Sequence, residues 1–155
     1  MSKTFLFIAG GLLATAIAGA AYVRLAPVDA ERFHRDPDQI TKAKTPNNYL
    51  VSAAPSADRA PVRLQMSRDD LMAAIDAWVL ALPHSERRVG SIDSGLVTYV
   101  IRTQLMRYPD TLTVKVVEAD EGAALSIYAK AIYGRSDFGV SQRRVEALFA
   151  ELGIK

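Results

Sequence analysis

The period of the apolar positions changes along this chain, and each change marks an element. Residues 5–23, with Phe5 at one end and Val23 at the other, carry no charge and lie between Lys3 and Arg24. A helix of about 19 residues rises about 30 Å, the thickness of the hydrocarbon core of a bilayer. A soluble helix keeps one polar side, so a run that is uncharged all round predicts a membrane-crossing helix. Farther on, Leu71, Ile75, Trp78, Val79 and Leu82 recur at helical spacing. Ser67 precedes them as an N-cap, Asp69 and Asp70 suit the first turn, and Pro83 ends the run. Trp78, the single tryptophan, is expected on that stripe as a core anchor. Then the period falls to two. Residues 87–92 and 96–103 flank Asp93-Ser94-Gly95, and 111–118 and 123–133 flank Ala119-Asp120-Glu121-Gly122, which predicts two hairpins. Leu112, Val114 and Val116 alternate with Thr113 and Lys115, the pattern of a sheet with one wet face. Helical spacing returns over 140–152 through Val145, Leu148, Phe149 and Leu152, with Gly153 as the C-cap.

Residues 24–61 hold no apolar period and are interrupted by Pro27, Pro37, Pro46, Pro55 and Pro61. They read as a stalk between the N-terminal helix (1–23) and a domain over 62–155. Within the stalk, Tyr49-Leu50-Val51 offers an edge strand, and 62–66 is a second short candidate. The expected fold class is α+β: an antiparallel sheet with two helices on one face, in the order β-α-β-β-β-β-α, behind one transmembrane helix.

Composition narrows the chemistry. The 155 residues suffice for one domain with a real core, and none is cysteine. Disulfides, thiolate metal sites and cysteine nucleophiles are therefore excluded. A net charge of +2 without a lysine or arginine run argues against a nucleic-acid partner. His34 and His84 stand at no metal-ligand spacing, no G-x-S-x-G is present, and Gly10-Gly11 belongs to the apolar run. The acidic pairs Asp69-Asp70 and Asp120-Glu121 fall at a helix start and in a turn, where solvation accounts for them. No catalytic residue, metal site or cofactor is predicted. One segment departs from plain scaffold: Tyr133-Gly134-Arg135-Ser136-Asp137-Phe138-Gly139-Val140. Arg135, Asp137, Gly139 and Arg143 are the candidate ligand- or partner-binding residues. The helix N-terminus beside them, with Arg144 also near, would make a modest anion site. The competing reading is a structural turn in which Arg135 pairs with Asp137, glycines supply positive φ, and Asp137 or Ser141 caps the helix.

The run Ile127-Tyr128 … Tyr133-Gly134-Arg135-Ser136-Asp137-Phe138-Gly139-Val140 … Arg144 resembles the closing signature of the bacterial and plastid domain-of-unknown-function family numbered fourteen ninety-nine. So do Tyr22-Val23-Arg24-Leu25-Ala26-Pro27, His34 with Asp36-Pro37, and Tyr108-Pro109-Asp110. That family typically has Ser-Arg-Ser before the loop and asparagine after its Gly-Val. Ala129-Lys130-Ala131 and Ser141 stand at the matching places here. The resemblance implies a fold and no activity.

From anchor, compact domain and missing catalytic constellation, the expected function is a membrane-anchored, non-catalytic accessory or interaction domain of the cell envelope. Its partners are the bilayer, through Phe5 to Val23, and another membrane protein or a lipid. The alternative is a small-ligand or lipid-binding protein, with an unrecognised hydrolase behind it. A short basic start followed at once by the apolar run has the form of an export signal, so the domain is expected in the periplasm on a single-pass inner-membrane helix. Arg24, Arg32 and Arg35 weigh the other way under the positive-inside rule. Cleavage after Ala18-Gly19-Ala20 is the alternative to an uncleaved anchor.

Overall fold

The computed structural model describes residues 3–25 and 27–154. Helix α1 (Lys3–Leu25) leads into a six-stranded antiparallel sheet and two further helices. The strands are β1 (Asn48–Val51), β2 (Val62–Leu64), β3 (Ser85–Ser91), β4 (Leu96–Arg102), β5 (Pro109–Ala119) and β6 (Gly122–Ala131). Helix α2 (Arg68–Ala81) falls between β2 and β3, and α3 (Val140–Glu151) follows β6. The sheet order is β1-β6-β5-β4-β3, and β2 pairs with the other end of β6, so β1 and β2 share one edge. Both short strands anticipated in the sequence form, which makes the order β-β-α-β-β-β-β-α.

Strand alternation sorts the side chains. Val97, Tyr99 and Ile101 of β4, Leu112, Val114 and Val116 of β5, and Leu125 and Ile127 of β6 share one buried cluster with α2 and α3. The helices therefore lie on one face, as expected. Their ends are closed locally. Ser67 Oγ accepts from the Asp70 amide at 3.1 Å. At the other end of the fold, Gly153 takes φ 70°, and the Ile154 amide donates to Phe149 O at 2.8 Å, an αL closure of α3.

On α2 the buried positions are Leu71, Met72, Ile75, Asp76 and Val79. Trp78, expected as a core anchor, is only half-buried and stands at the rim of the α2–α3 cleft. The helix is turned so that Asp76 faces inward, which is tolerable because donors wait for it. Tyr99 Oη donates to Asp76 Oδ1 at 2.8 Å, and Arg87 grips both carboxylate oxygens at 3.0 and 2.6 Å.

Residues 27–61, read above as stalk, pack as part of the domain. Ala30 and Pro37 are buried, and β1 is hydrogen-bonded to β6. The segment lies as a strap over the face expected to be wet. That face carries Thr98, Thr113, Lys115 and Ser126, which need partners once covered. Lys115 Nζ binds Asp36 at 2.7 Å and Asp38 at 2.9 Å, and Ser126 Oγ donates to Asp38 at 2.8 Å. Thr113 Oγ1 donates to Phe33 O at 3.1 Å, so Thr98 Oγ1, 2.9 Å away, must donate to Thr113. Thr98 then accepts from His34 Nδ1 at 2.9 Å, which assigns the proton to that nitrogen. Asp93-Ser94-Gly95 and Gly122 turn the two hairpins as expected, with φ 71° at Gly95 and 89° at Gly122.

Candidate functional site

The loop between β6 and α3 is built from four local locks. Asn47, buried beside β1, donates through Nδ2 to Ala131 O at 3.2 Å and to Gly134 O at 2.8 Å. Asp137 accepts from the Gly139 and Ser141 amides, each at 2.9 Å, one on each oxygen. Arg143 Nη1 donates to Phe138 O at 2.8 Å. The Phe138 amide donates to Ser136 Oγ at 3.2 Å. Gly134 and Gly139 take φ 86° and 78°, which glycine does without strain. Phe138, at φ 53°, does not have that freedom, and an αL aromatic costs about 1–2 kcal/mol. The locks hold it there with 87 % of its surface exposed.

Asp137, Gly139 and Arg143 thus converge on a single turn, and each acts inward on that turn. Gly139 is the N-cap of α3, and Asp137, two residues before it, closes the helix start by accepting from the Ser141 amide. Burial works against its charge, yet hydrogen bonding from Ser141 and Gly139 holds its carboxyl below the ordinary range. Two of the amides that would have received an external anion, those of Gly139 and Ser141, are already taken by this carboxylate. Arg135 does not pair with Asp137. It is exposed and makes no hydrogen bond or ion pair among the described residues.

A second loop, 103–108, stands opposite. Thr103 N donates to Tyr108 O at 2.9 Å, Tyr108 N to Thr103 Oγ1 at 2.9 Å, and Arg107 N to Thr103 O at 3.0 Å. Arg107 sits at φ 60°, and Arg102 Nη1 binds both Arg107 O and Arg24 O at 3.2 Å. Between the loops runs a groove of about 520 Å³. Its walls include Val23, Leu105, Met106, Tyr108, Tyr133 and Phe138. Asp110 lies at its base and is bound by Arg144 Nη2 at 2.9 Å. Burial pushes the Asp110 carboxyl above its usual value, against the pull of Arg144. A shallower cleft of about 450 Å³ between α2 and α3 is lined by Trp78, Leu82, Ile101, Val140 and Arg143. Thr103 and Val140 border both.

The groove was not among the sequence expectations, because loop 103–108 carries no periodicity and its meeting with 133–140 is set by the β5–β6 register. Adjacent apolar residues Leu105 and Met106 in a loop were the available signal. His34 and His84 share no metal-ligand cluster, and among the described residues no group of three His, Asp or Glu side chains is placed to hold a metal ion.

The architecture is an α+β domain with a polar strap, behind one apolar N-terminal helix. The chain belongs to the family described as "Protein of unknown function (DUF1499)", whose model matches residues 35–152. The match begins inside the strap. No curated protein matches the chain significantly. The similar solved structures include two from bacteria. Protein MLL2253 from Mesorhizobium loti matches with a TM-score of 0.48 and 10% identity, over 68% of this chain and 93% of that one. Protein CV1439 from Chromobacterium violaceum matches with a TM-score of 0.36 and 14% identity, over 70% of this chain and 94% of that one. At these values neither likeness carries a functional argument.

Proposed function

We propose that this chain is a membrane-anchored, non-catalytic domain of the cell envelope that works at the bilayer surface. The carrying observation is α1 and its short junction with the domain. No residue of the apolar stretch Phe7–Leu25 is buried inside the protein, and Ala30 is already in the domain. A helix apolar on every side and not buried in the protein finds its solvent in lipid. The non-catalytic reading is supported by the inward carboxylates, since Asp38, Asp76 and Asp110 are each engaged by structural partners.

Washing membranes from cells expressing the full chain with alkaline carbonate tests the anchor. The expected result is full-length protein in the pellet. Release of a shorter soluble form would identify the N-terminal apolar segment as a signal peptide, cleaved after Ala18-Gly19-Ala20. We further propose a periplasmic domain on the inner membrane, so a reporter fused after Lys155 should be active only when exported. Cytoplasmic reporter activity would reverse that assignment.

The groove favours a second reading, small-ligand or lipid binding, because apolar clefts of this size with a few polar groups are the usual form of such sites. Native mass spectrometry of the full chain released from detergent distinguishes it: a retained adduct of lipid mass supports it, and a clean apo mass removes it.

A further inference from the structure

We propose that the two loops flanking the groove form a second membrane contact, in which Leu105, Met106 and Phe138 enter the bilayer that holds α1. The proposal rests on the reading of α1 as a membrane span. The occupant of this surface is the lipid of that same membrane.

Proximity comes first. Ala30 is buried in the domain five residues after Leu25 ends α1. Five extended residues reach about 17 Å at most, so the domain cannot stand far from the membrane surface. The side it turns to the lipid is also marked. Val23, at the end of the apolar run, lines the groove with Leu105 and Phe138, and Arg102 holds Arg24 O. The groove therefore opens where the chain leaves the hydrocarbon.

The chemistry agrees. Leu105 and Phe138 expose 83 % and 87 % of their surface, and Met106 and Tyr108 are exposed beside them. These residues come from two loops separated in sequence but line one groove, so the apolar area is contiguous rather than scattered. Arg107 and Arg135 adjoin it in sequence, and neither side chain makes a hydrogen bond or ion pair among the described residues. Apolar tips flanked by cations match the bilayer interface, with hydrocarbon below and phosphate at headgroup level. Tyr108 and Tyr133 supply the amphipathic rings common at that depth. The loops are also pre-organised. Arg143 and Asp137 fix one and Arg102 and Thr103 the other, so the backbone of each loop is already held.

The chain contains no cysteine, which permits single labels in the full-length protein. Nitroxide labels are placed through Leu13→Cys, Leu105→Cys, Phe138→Cys and Glu121→Cys, the last in the remote β5–β6 turn. Each variant is reconstituted into vesicles of mixed zwitterionic and anionic phospholipid. Collision with oxygen, which partitions into lipid, is compared with collision with a water-soluble nickel chelate. The labels at 105 and 138 should share the oxygen-dominated accessibility of 13, while 121 stays aqueous. Labels at 105 and 138 as aqueous as 121, with 13 in lipid, would overturn the contact and leave the anchor standing. An aqueous label at 13 would remove the anchor reading and the contact with it. Shielding of 105 and 138 from both reagents would show a second copy of the chain on this surface, and would also overturn the proposal.

Discussion

Asp76 lies on the inner side of α2 with 8 % of its surface exposed, and Tyr99 and Arg87 converge on its two oxygens. Removing the carboxylate strands a buried hydroxyl and a partly exposed guanidinium. Asp76→Ala should therefore destabilise the fold by about 2–3 kcal/mol, read as a lower denaturant midpoint. Adding Tyr99→Phe to that variant should recover part of the loss, because the stranded hydroxyl is then gone. Arg135 is the opposite case. Exposed, and without a hydrogen bond or ion pair among the described residues, it should be replaceable by alanine with no change in melting temperature. A fall of several degrees would show that it holds the loop after all. Periodicity cannot reveal an inward aspartate, since a charge on an apolar stripe looks like a gap in the stripe. The capping role of Asp137 was legible, because Asp or Ser just before an apolar helical run has a local mechanism. The absent Arg135–Asp137 pair was not, because which donors reach a carboxylate depends on the turn's exact path.

Among the elements, the β3–β4 hairpin and the strap meet at Gly90 as well as through the Thr98–His34 hydrogen bond. Gly90 takes φ 82°, and a Cβ there would run into the Leu96 carbonyl oxygen and lie 2.8 Å from His34 Cε1. Gly90→Ala should cost at least about 2 kcal/mol, from αL strain and from displacement of both neighbours. Gly139→Ala should cost less, about 1–2 kcal/mol, because the atom nearest its Cβ is the flexible Arg143 Nη1 at 3.0 Å. Equal losses at the two sites, in parallel thermal melts, would contradict this ranking. Helices and strands were legible within a few residues, since each has a period and a terminator. Residues 27–47 have neither. Their structure follows from the polar face they cover, through Asp36, Asp38 and His34, and that dependence is tertiary. The alternation of Thr113 and Lys115 with Leu112 and Val114 correctly marked a polar face. Water was the wrong partner for it.

At the scale of the whole molecule, three carboxylates shifted in opposite directions contribute to acid stability. Burial opposes the charge of Asp38, but the Ala53 amide, Lys115 and Ser126 hold its pKa below the ordinary value, and Asp137 is likewise lowered by its capping bonds. For these two the unfolded chain binds protons first as pH falls. Their contribution is complete above an unfolded pKa of about 3.9 and is lost as pH drops through their lower folded values. Asp110 is raised by burial, so the folded state binds its proton first. Its contribution has the other sign: complete below about 3.9, it is lost as pH rises through the folded value. Descending from neutrality, stability should first rise as Asp110 protonates, then fall as Asp38 and Asp137 do. The profile should peak on the mildly acidic side, where denaturant midpoints measured at several pH values can find it. Asp110→Asn should remove the rise and leave the acid limb, whereas Asp38→Asn should make the acid limb shallower and leave the rise. A profile flat from neutrality to mild acid in the unmodified chain, unchanged by Asp110→Asn, would mean that Arg144 outweighs burial and keeps this carboxylate ionised at the base of the groove.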